Sequence, residues 1–159
     1  MTLRKRIVPP HAAEAADAPQ HWVAVEQIAE VEVSSEDPQW PVDGALIEGS
    51  ERGWRAAAPG EQKLHIRFDQ PRPLSLIHLA FHEAEHERVQ EFALAWSSDG
   101  GRVFQPLVRQ QFVFSPGGAT RETEDYAVRL ENVTNLALHI IPDMSRRPVV
   151  ATLAELRIR

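Results

Sequence analysis

His82-Glu83-Ala84-Glu85-His86 is the stretch whose residue types and spacing come nearest to catalysis. It reproduces H-E-x-x-H. On a helix that spacing places both imidazoles on one face, where they hold zinc while the glutamate works on the metal-bound water. The flanks oppose a helix, because one β pattern ends just before the segment and another begins just after it. No G-x-x-H extends the motif. A charged β-hairpin loop is the expected structure, and a zinc hydrolase using His82 and His86 is the remote alternative.

A second constellation suits a polar ligand. Trp40, in Asp37-Pro38-Gln39-Trp40-Pro41, offers a flat indole to a sugar face. Hairpin residues His82, Glu83, His86 and Arg88 add charged groups, as do Arg109, beside Gln110 and Gln111, and Arg121 beyond the Phe114 turn. One aromatic platform with a few fixed donors and acceptors is how sugar sites are built. Trp22, Trp54 and Trp96 lie in or beside β patterns and are expected in the core. Arg52, Arg55, Lys63 and Arg67 lie close in sequence, and Arg146-Arg147 form a pair. Phosphate binding would need such cations on one surface. Their β context favours a solvated strand face instead. Asp99-Gly100-Gly101 reads as a hairpin turn. Nucleotide fingerprints, a nucleophile elbow and a supported Ser–His–Asp set are missing.

The elements that must position these groups follow from composition and periodicity. The 159 residues carry 17 Lys plus Arg against 23 Asp plus Glu, a formal charge of −6. With 43% hydrophobic residues the chain can build one core. No run approaches the ~20 apolar residues of a membrane helix. Zero cysteines exclude a disulfide framework, a Cys-ligated zinc and a thiol nucleophile. The acidic balance argues against a broad nucleic-acid surface. Residues 1–21 hold a basic cluster, Arg4-Lys5-Arg6, without the apolar stretch of a secretory signal. They read as a flexible arm of a cytoplasmic protein, with residues 22–159 as one domain.

From Trp22 onward short β runs alternate with turns. Val23–Val25 and Val31–Val33 are brief period-two stretches. In Lys63–Phe68, Leu64, Ile66 and Phe68 share one face while Lys63, His65 and Arg67 share the other. Leu74–Phe81 reads as a central strand, followed by Phe92–Trp96 and by Arg102–Phe114, interrupted at Pro106. Tyr126–Leu130, Leu136–Ile140 and Val149–Ile158 complete the pattern. Roughly eight strands and no amphipathic helix predict an all-β protein, an antiparallel β-sandwich of the jelly-roll kind.

The order of features resembles a known family. An Asp43-Gly44 turn precedes Trp54. A strand ending Phe68-Asp69 and the Leu74–Phe81 strand follow, then Trp96-Ser97-Ser98-Asp99-Gly100-Gly101 and the C-terminal Leu153-Ala154-Glu155-Leu156-Arg157-Ile158. Over residues 30–159 this is similar to the discoidin, or coagulation-factor C-type, superfamily of galactose-binding-like jelly rolls, which includes family 32 carbohydrate-binding modules. Arg52-Gly53-Trp54-Arg55-Ala56-Ala57-Ala58-Pro59-Gly60-Glu61 and Phe114-Ser115-Pro116 also resemble the N-terminal domain of the animal single-strand-break repair scaffold.

The resemblance implies a non-catalytic module that binds a carbohydrate or similar polar ligand through loops at one end. The alternative it implies is an intracellular module docking on a protein or, less readily, on nucleic acid. It also implies a structural calcium ion on Asp43 and Glu155, with Ser50 and the carbonyls of Trp40, Ala45 and Ala154, a mixture of the hard oxygen ligands calcium takes. Exposed sandwich edges make a dimer plausible.

Overall fold

The computed structural model describes residues 21–50 and 52–159, so the arm expected over 1–21 lies almost wholly outside the described residues. Eight strands are present: β1 (Ala29–Val33), β2 (Trp54–Pro59), β3 (Gln62–His82), β4 (Arg88–Ser97), β5 (Gln105–Phe114), β6 (Arg121–Ile141), β7 (Val150–Leu153) and β8 (Glu155–Ile158). Two single helical turns accompany them, α1 (Val25–Ile28) and α2 (Asp43–Leu46). The fold is the expected antiparallel jelly roll. Among the described residues no helix is long and apolar enough to cross a membrane.

Two long strands organise it. β3 and β6, each 21 residues, pair antiparallel from Gln62↔Ile140 to His82↔Arg121. Their ladder slips between Arg67 and Leu76, where Pro71 and Pro73 have no N–H to donate. Opposite them Asn132 takes a left-handed φ of 55°. The pair bends there, so its two halves serve different layers. The half from Gln62 to Arg67 joins β1 on one side and, through β6, β4 and then β5. The half from Leu76 to His82 joins β8, and the β2–β7 ribbon lies beside it.

Alternation places the core. Leu64, Ile66 and Phe68 are buried from one layer's strand, and Ile77, Leu79 and Phe81 from the other. Phe81 meets Phe92 of β4 with ring centroids 5.0 Å apart. Trp54 is buried, and its Nε1–H donates to the Ser35 carbonyl at 3.1 Å. Trp96 is half-buried against the core; Trp22 is half-buried over His78 and Arg159.

Four sequence expectations change. Lys63–Phe68 and Leu74–Phe81 are one bent strand, as are Tyr126–Leu130 and Leu136–Ile140. Val149–Ile158 is two strands, because the chain leaves β2 for β3 at Ala154, whose N–H donates to the Ala80 carbonyl at 2.9 Å. Val25 begins a helical turn rather than ending a strand. Pro106 stays within β5, a sheet edge where a missing donor costs little.

Among the described residues, β5 and the Arg121–Leu130 half of β6 each have one edge without a strand partner, and an acidic cluster lies between them. Gln110 Nε2 donates to Glu124 at 2.7 Å and Glu122 at 3.3 Å, while its Oε1 accepts from the Tyr126 hydroxyl at 2.6 Å. Burial first, and then the neighbouring Glu124, pushes the Glu122 carboxyl up to about 7. Burial and the same carboxylates push the Tyr126 hydroxyl up to about 12. A carboxyl whose folded value is raised stabilises the fold while protonated, and that contribution fades as pH climbs from the ordinary carboxylate range through about 7. Glu122→Gln is therefore expected to melt a few degrees above wild type at pH 8 and level with it near pH 4.5, as followed by circular dichroism.

Candidate functional site

One end of the sandwich gathers side chains from four places. The loop after β1 brings Trp40. The approach to β2 brings Arg52, and its first two residues are Trp54 and Arg55. His82 ends β3 and Arg121 begins β6, facing each other across the ladder. Thr152, Leu153 and Ala154 come from the β7–β8 crossing. Together they line an open cleft of about 250 Å³.

Backbone contacts hold this end in place. The Arg55 N–H donates to the Trp40 carbonyl at 3.1 Å, and the Asp37 N–H to the Arg55 carbonyl at 2.9 Å. The Val42 N–H donates to the Glu36 carboxylate at 2.8 Å. Beneath the cleft three backbones stack without side chains between them. A Cβ on Gly44 would stand 2.5 Å from the Gly53 carbonyl oxygen, and one on Gly53 would stand 2.8 Å from that of Leu153. Gly53 also has a φ of +73°, so glycine is required there twice over. Asp43-Gly44 thus matters for close packing as well as for turning.

The cleft is cationic. The Arg55 guanidinium carbon lies 4.9 Å from the Trp40 ring centroid and that of Arg52 lies 5.9 Å away. Arg52 also donates to the Gln39 carbonyl at 3.3 Å. Among the described residues, none of Arg52, Arg55, Arg121 and His82 has a carboxylate within ion-pair distance. Some other exposed cations are engaged, Arg67 with Glu30 and Glu32, Arg146 with Glu61 and Arg147 with Asp143, whereas Lys63, Arg102 and Arg129, like the cleft's arginines, have no carboxylate within ion-pair distance among the described residues. The indole of Trp40 serves as a seat for guanidinium groups, which the negative face of the ring attracts.

Of the residues singled out by sequence, Trp40, His82 and Arg121 come together here. Arg109 does not: it sits on β5, 3.1 Å from Glu91. His86 is exposed at the hairpin tip. Glu83 and Arg88 turn inward, as described below. Arg52 and Arg55 were readable only as strand-face cations, because Trp40 reaches them through a loop that periodicity does not place. Thr152, whose hydroxyl donates to the His82 carbonyl at 3.2 Å, gave no sequence signal.

The residues expected to hold calcium are differently engaged. The Glu155 carboxylate lies 3.5 Å from His78, and Asp43 is exposed at the start of α2. Among the described residues no three His, Asp or Glu side chains group as metal ligands. The Ala45 carbonyl accepts instead from Nη1 of Arg157, a side chain on β8. A guanidinium already stands at that oxygen, so the set does not fit a calcium ion.

Comparison with known proteins agrees with this architecture. A family model described as the XRCC1 N terminal domain matches residues 21–140. No curated protein matches the chain. Among solved structures, the family 32 carbohydrate-binding module of C. perfringens NanJ in complex with galactose is 14% identical, with a TM-score of 0.61, covering 86% of this chain and 96% of that one. A pectin-binding carbohydrate-binding module is 21% identical with a TM-score of 0.59, covering 84% and 91%. The family 32 module of AlyQ in complex with 4,5-unsaturated mannuronic acid is 16% identical with a TM-score of 0.59, covering 83% and 95%.

The His82–His86 hairpin beside the cleft is anchored from inside, which corrects the expectation that Glu83 and Arg88 face a ligand. Arg88 is 1% exposed. Its Nη2 lies 3.4 Å from the Glu83 carboxylate, its Nη1 donates to the Val150 carbonyl at 3.1 Å, and its guanidinium stands over Phe114. Burial pulls the Arg88 guanidinium below its ordinary value, and the charges of Glu83 and Asp143 pull it back. Glu83 also accepts from the backbone N–H groups of Glu85 and His86, each at 2.8 Å. Its carboxylate is thus committed to holding the loop. Removing one partner of a buried pair strands the other, so Glu83→Gln is expected to cost on the order of 3 kcal/mol in urea unfolding. Stability equal to wild type would contradict the anchor.

Proposed function

Because the chain belongs to the XRCC1 N terminal domain family and carries this open cationic cleft, we propose that it is a non-catalytic binding module for an acidic saccharide. One observation carries the reading: Arg52 and Arg55 lie over Trp40, Arg121 and His82 stand on the same cleft, and no carboxylate among the described residues neutralises them. In a protein of charge −6, cations left in one concavity mark where a negative ligand is welcome. Arginine forks match a carboxylate with two parallel hydrogen bonds. A neutral sugar stacking on the covered ring face would first have to displace Arg55 from Trp40.

The neighbours hold neutral and acidic sugars alike, galactose in the NanJ module among them, and two support the acidic chemistry by analogy. One binds pectin, a polymer of carboxylated sugar, and another holds an unsaturated mannuronic acid. The small cleft suits a single sugar unit and lacks the long basic stripe that a nucleic-acid backbone needs.

A second reading, docking on a protein partner, is favoured by the edges of β5 and β6 that are unpaired among the described residues. Between them Ile77, Leu94, Leu107, Val108, Tyr126 and Val128 line a groove of about 240 Å³. Bound protein there would leave the cleft free.

Calorimetric titration separates these readings. Oligogalacturonate is expected to bind and to weaken steeply as salt rises, because screening acts on exposed charges. Arg55→Ala is expected to weaken it about tenfold or more, ~1.4 kcal/mol. Equal binding of galactose and oligogalacturonate, or an Arg55→Ala variant with wild-type affinity, would overturn the acidic-ligand reading.

A further inference from the structure

Arg157 is 5% exposed and has no carboxylate within ion-pair distance among the described residues. A guanidinium does not shed its proton, so a permanent positive charge sits inside the protein. Such a charge is tolerated only when oxygen dipoles surround it. Here they are all backbone: Nη1 donates to the Ala45 and Leu156 carbonyls and Nη2 to the Ile47 carbonyl at 3.1 Å. A helix end leaves its last carbonyls without internal partners, and Ala45 and Ile47 are at the end of α2.

We propose that Arg157 is a positioning residue for the cleft, a resident cation that takes the Ala45 carbonyl, one of the three expected to hold calcium, together with those of Ile47 and Leu156, and fixes the Pro41–Ile47 segment without any metal. The connection to the cleft is short. The Gly44 N–H donates to the Pro41 carbonyl at 3.0 Å, immediately after Trp40. Gly44 in turn packs on Gly53, between Arg52 and Trp54. Holding α2 down therefore holds both the Trp40 loop and the strand that presents Arg52 and Arg55. A divalent ion entering the same oxygens would meet a like charge at contact distance, where low dielectric makes repulsion strong. The effect on ligand binding rests on the cleft being the binding site; the effect on the loop does not.

The test uses the full chain, with melting temperature and amide exchange measured in calcium chloride and in EGTA. Wild type is expected to melt at one temperature in both. Arg157→Met is expected to melt at least about 5 °C lower. It should also lose exchange protection over residues 43–47 while the β3–β6 ladder keeps its own. Millimolar guanidinium ion, refilling the cradle, should restore part of that protection, which simple loss of packing would not allow. Arg157→Lys keeps the charge and loses the fork, so it is expected between the two and decides the matter if Arg157→Met fails to fold. Oligogalacturonate affinity should fall several-fold in Arg157→Lys. Wild-type melting that rises in calcium and falls in EGTA would overturn the proposal. Full protection of residues 43–47 in Arg157→Met, or an Arg157→Lys protein indistinguishable from wild type, would do the same. Should wild type not bind oligogalacturonate, the reading of the cleft falls, while the calcium and exchange measurements still decide this one.

Discussion

β3 and β6 must bend together, since a ladder shared along their length transmits any slip in one strand to the other. The bend falls where Pro71 and Pro73 withhold donors and Asn132 turns left-handed. Past it, the same two strands change layer, and the side chains at their far end change company. His82 and Arg121 are neighbours because that ladder closes there. The β2–β7 ribbon and the β7–β8 crossing are then set beside them, bringing in Arg55 and Thr152. The cleft is a consequence of where two strands end.

Much of this fold is visible in the order of residues. Alternation in Lys63–Phe68 correctly gives Leu64, Ile66 and Phe68 to the core, because a one-residue slip would expose all three. Punctuation was harder to read. Lys63–Phe68 and Leu74–Phe81 read as separate strands, but pairing with β6 resumes beyond Pro71 and Pro73. Conversely, Val149–Ile158 reads as one apolar strand, and only the change of partner at Ala154 divides it. Both errors come from tertiary pairing, which local pattern does not contain.

The candidate site was legible by half for the same reason. Trp40, His82 and Arg121 could be nominated by type. Arg88 could not be distinguished from them: a cation after a charged loop reads as exposed, whereas its stem and fork are buried against Phe114 and Glu83. Arg52 and Arg55 were visible as cations, but their seat on Trp40 depends on a loop closure that spans the β1–β2 connection. Of the carbonyls the resemblance assigned to calcium, that of Ala45 meets Arg157 and that of Trp40 meets the Arg55 N–H, and nothing in the spacing of Arg157 shows that its side chain turns back onto α2.

Arginine thus does three different jobs, and its partners tell them apart. Arg88 faces a carboxylate in the interior, so its charge is matched and the hairpin is held. Arg157 faces only carbonyls, so its charge is dispersed over dipoles and a loop is held. Arg52 and Arg55 face an indole, which attracts a guanidinium without cancelling its charge. Only the third arrangement leaves the positive charge available to something outside the protein. Acidic groups crowd the open side between β5 and β6 instead, where Glu122 and Glu124 share Gln110. The Trp40 loop itself carries Glu36 and Asp37, but these carboxylates accept from the backbone N–H groups of Val42 and Gln39, so the charges of Arg52 and Arg55 stand unpaired beside them.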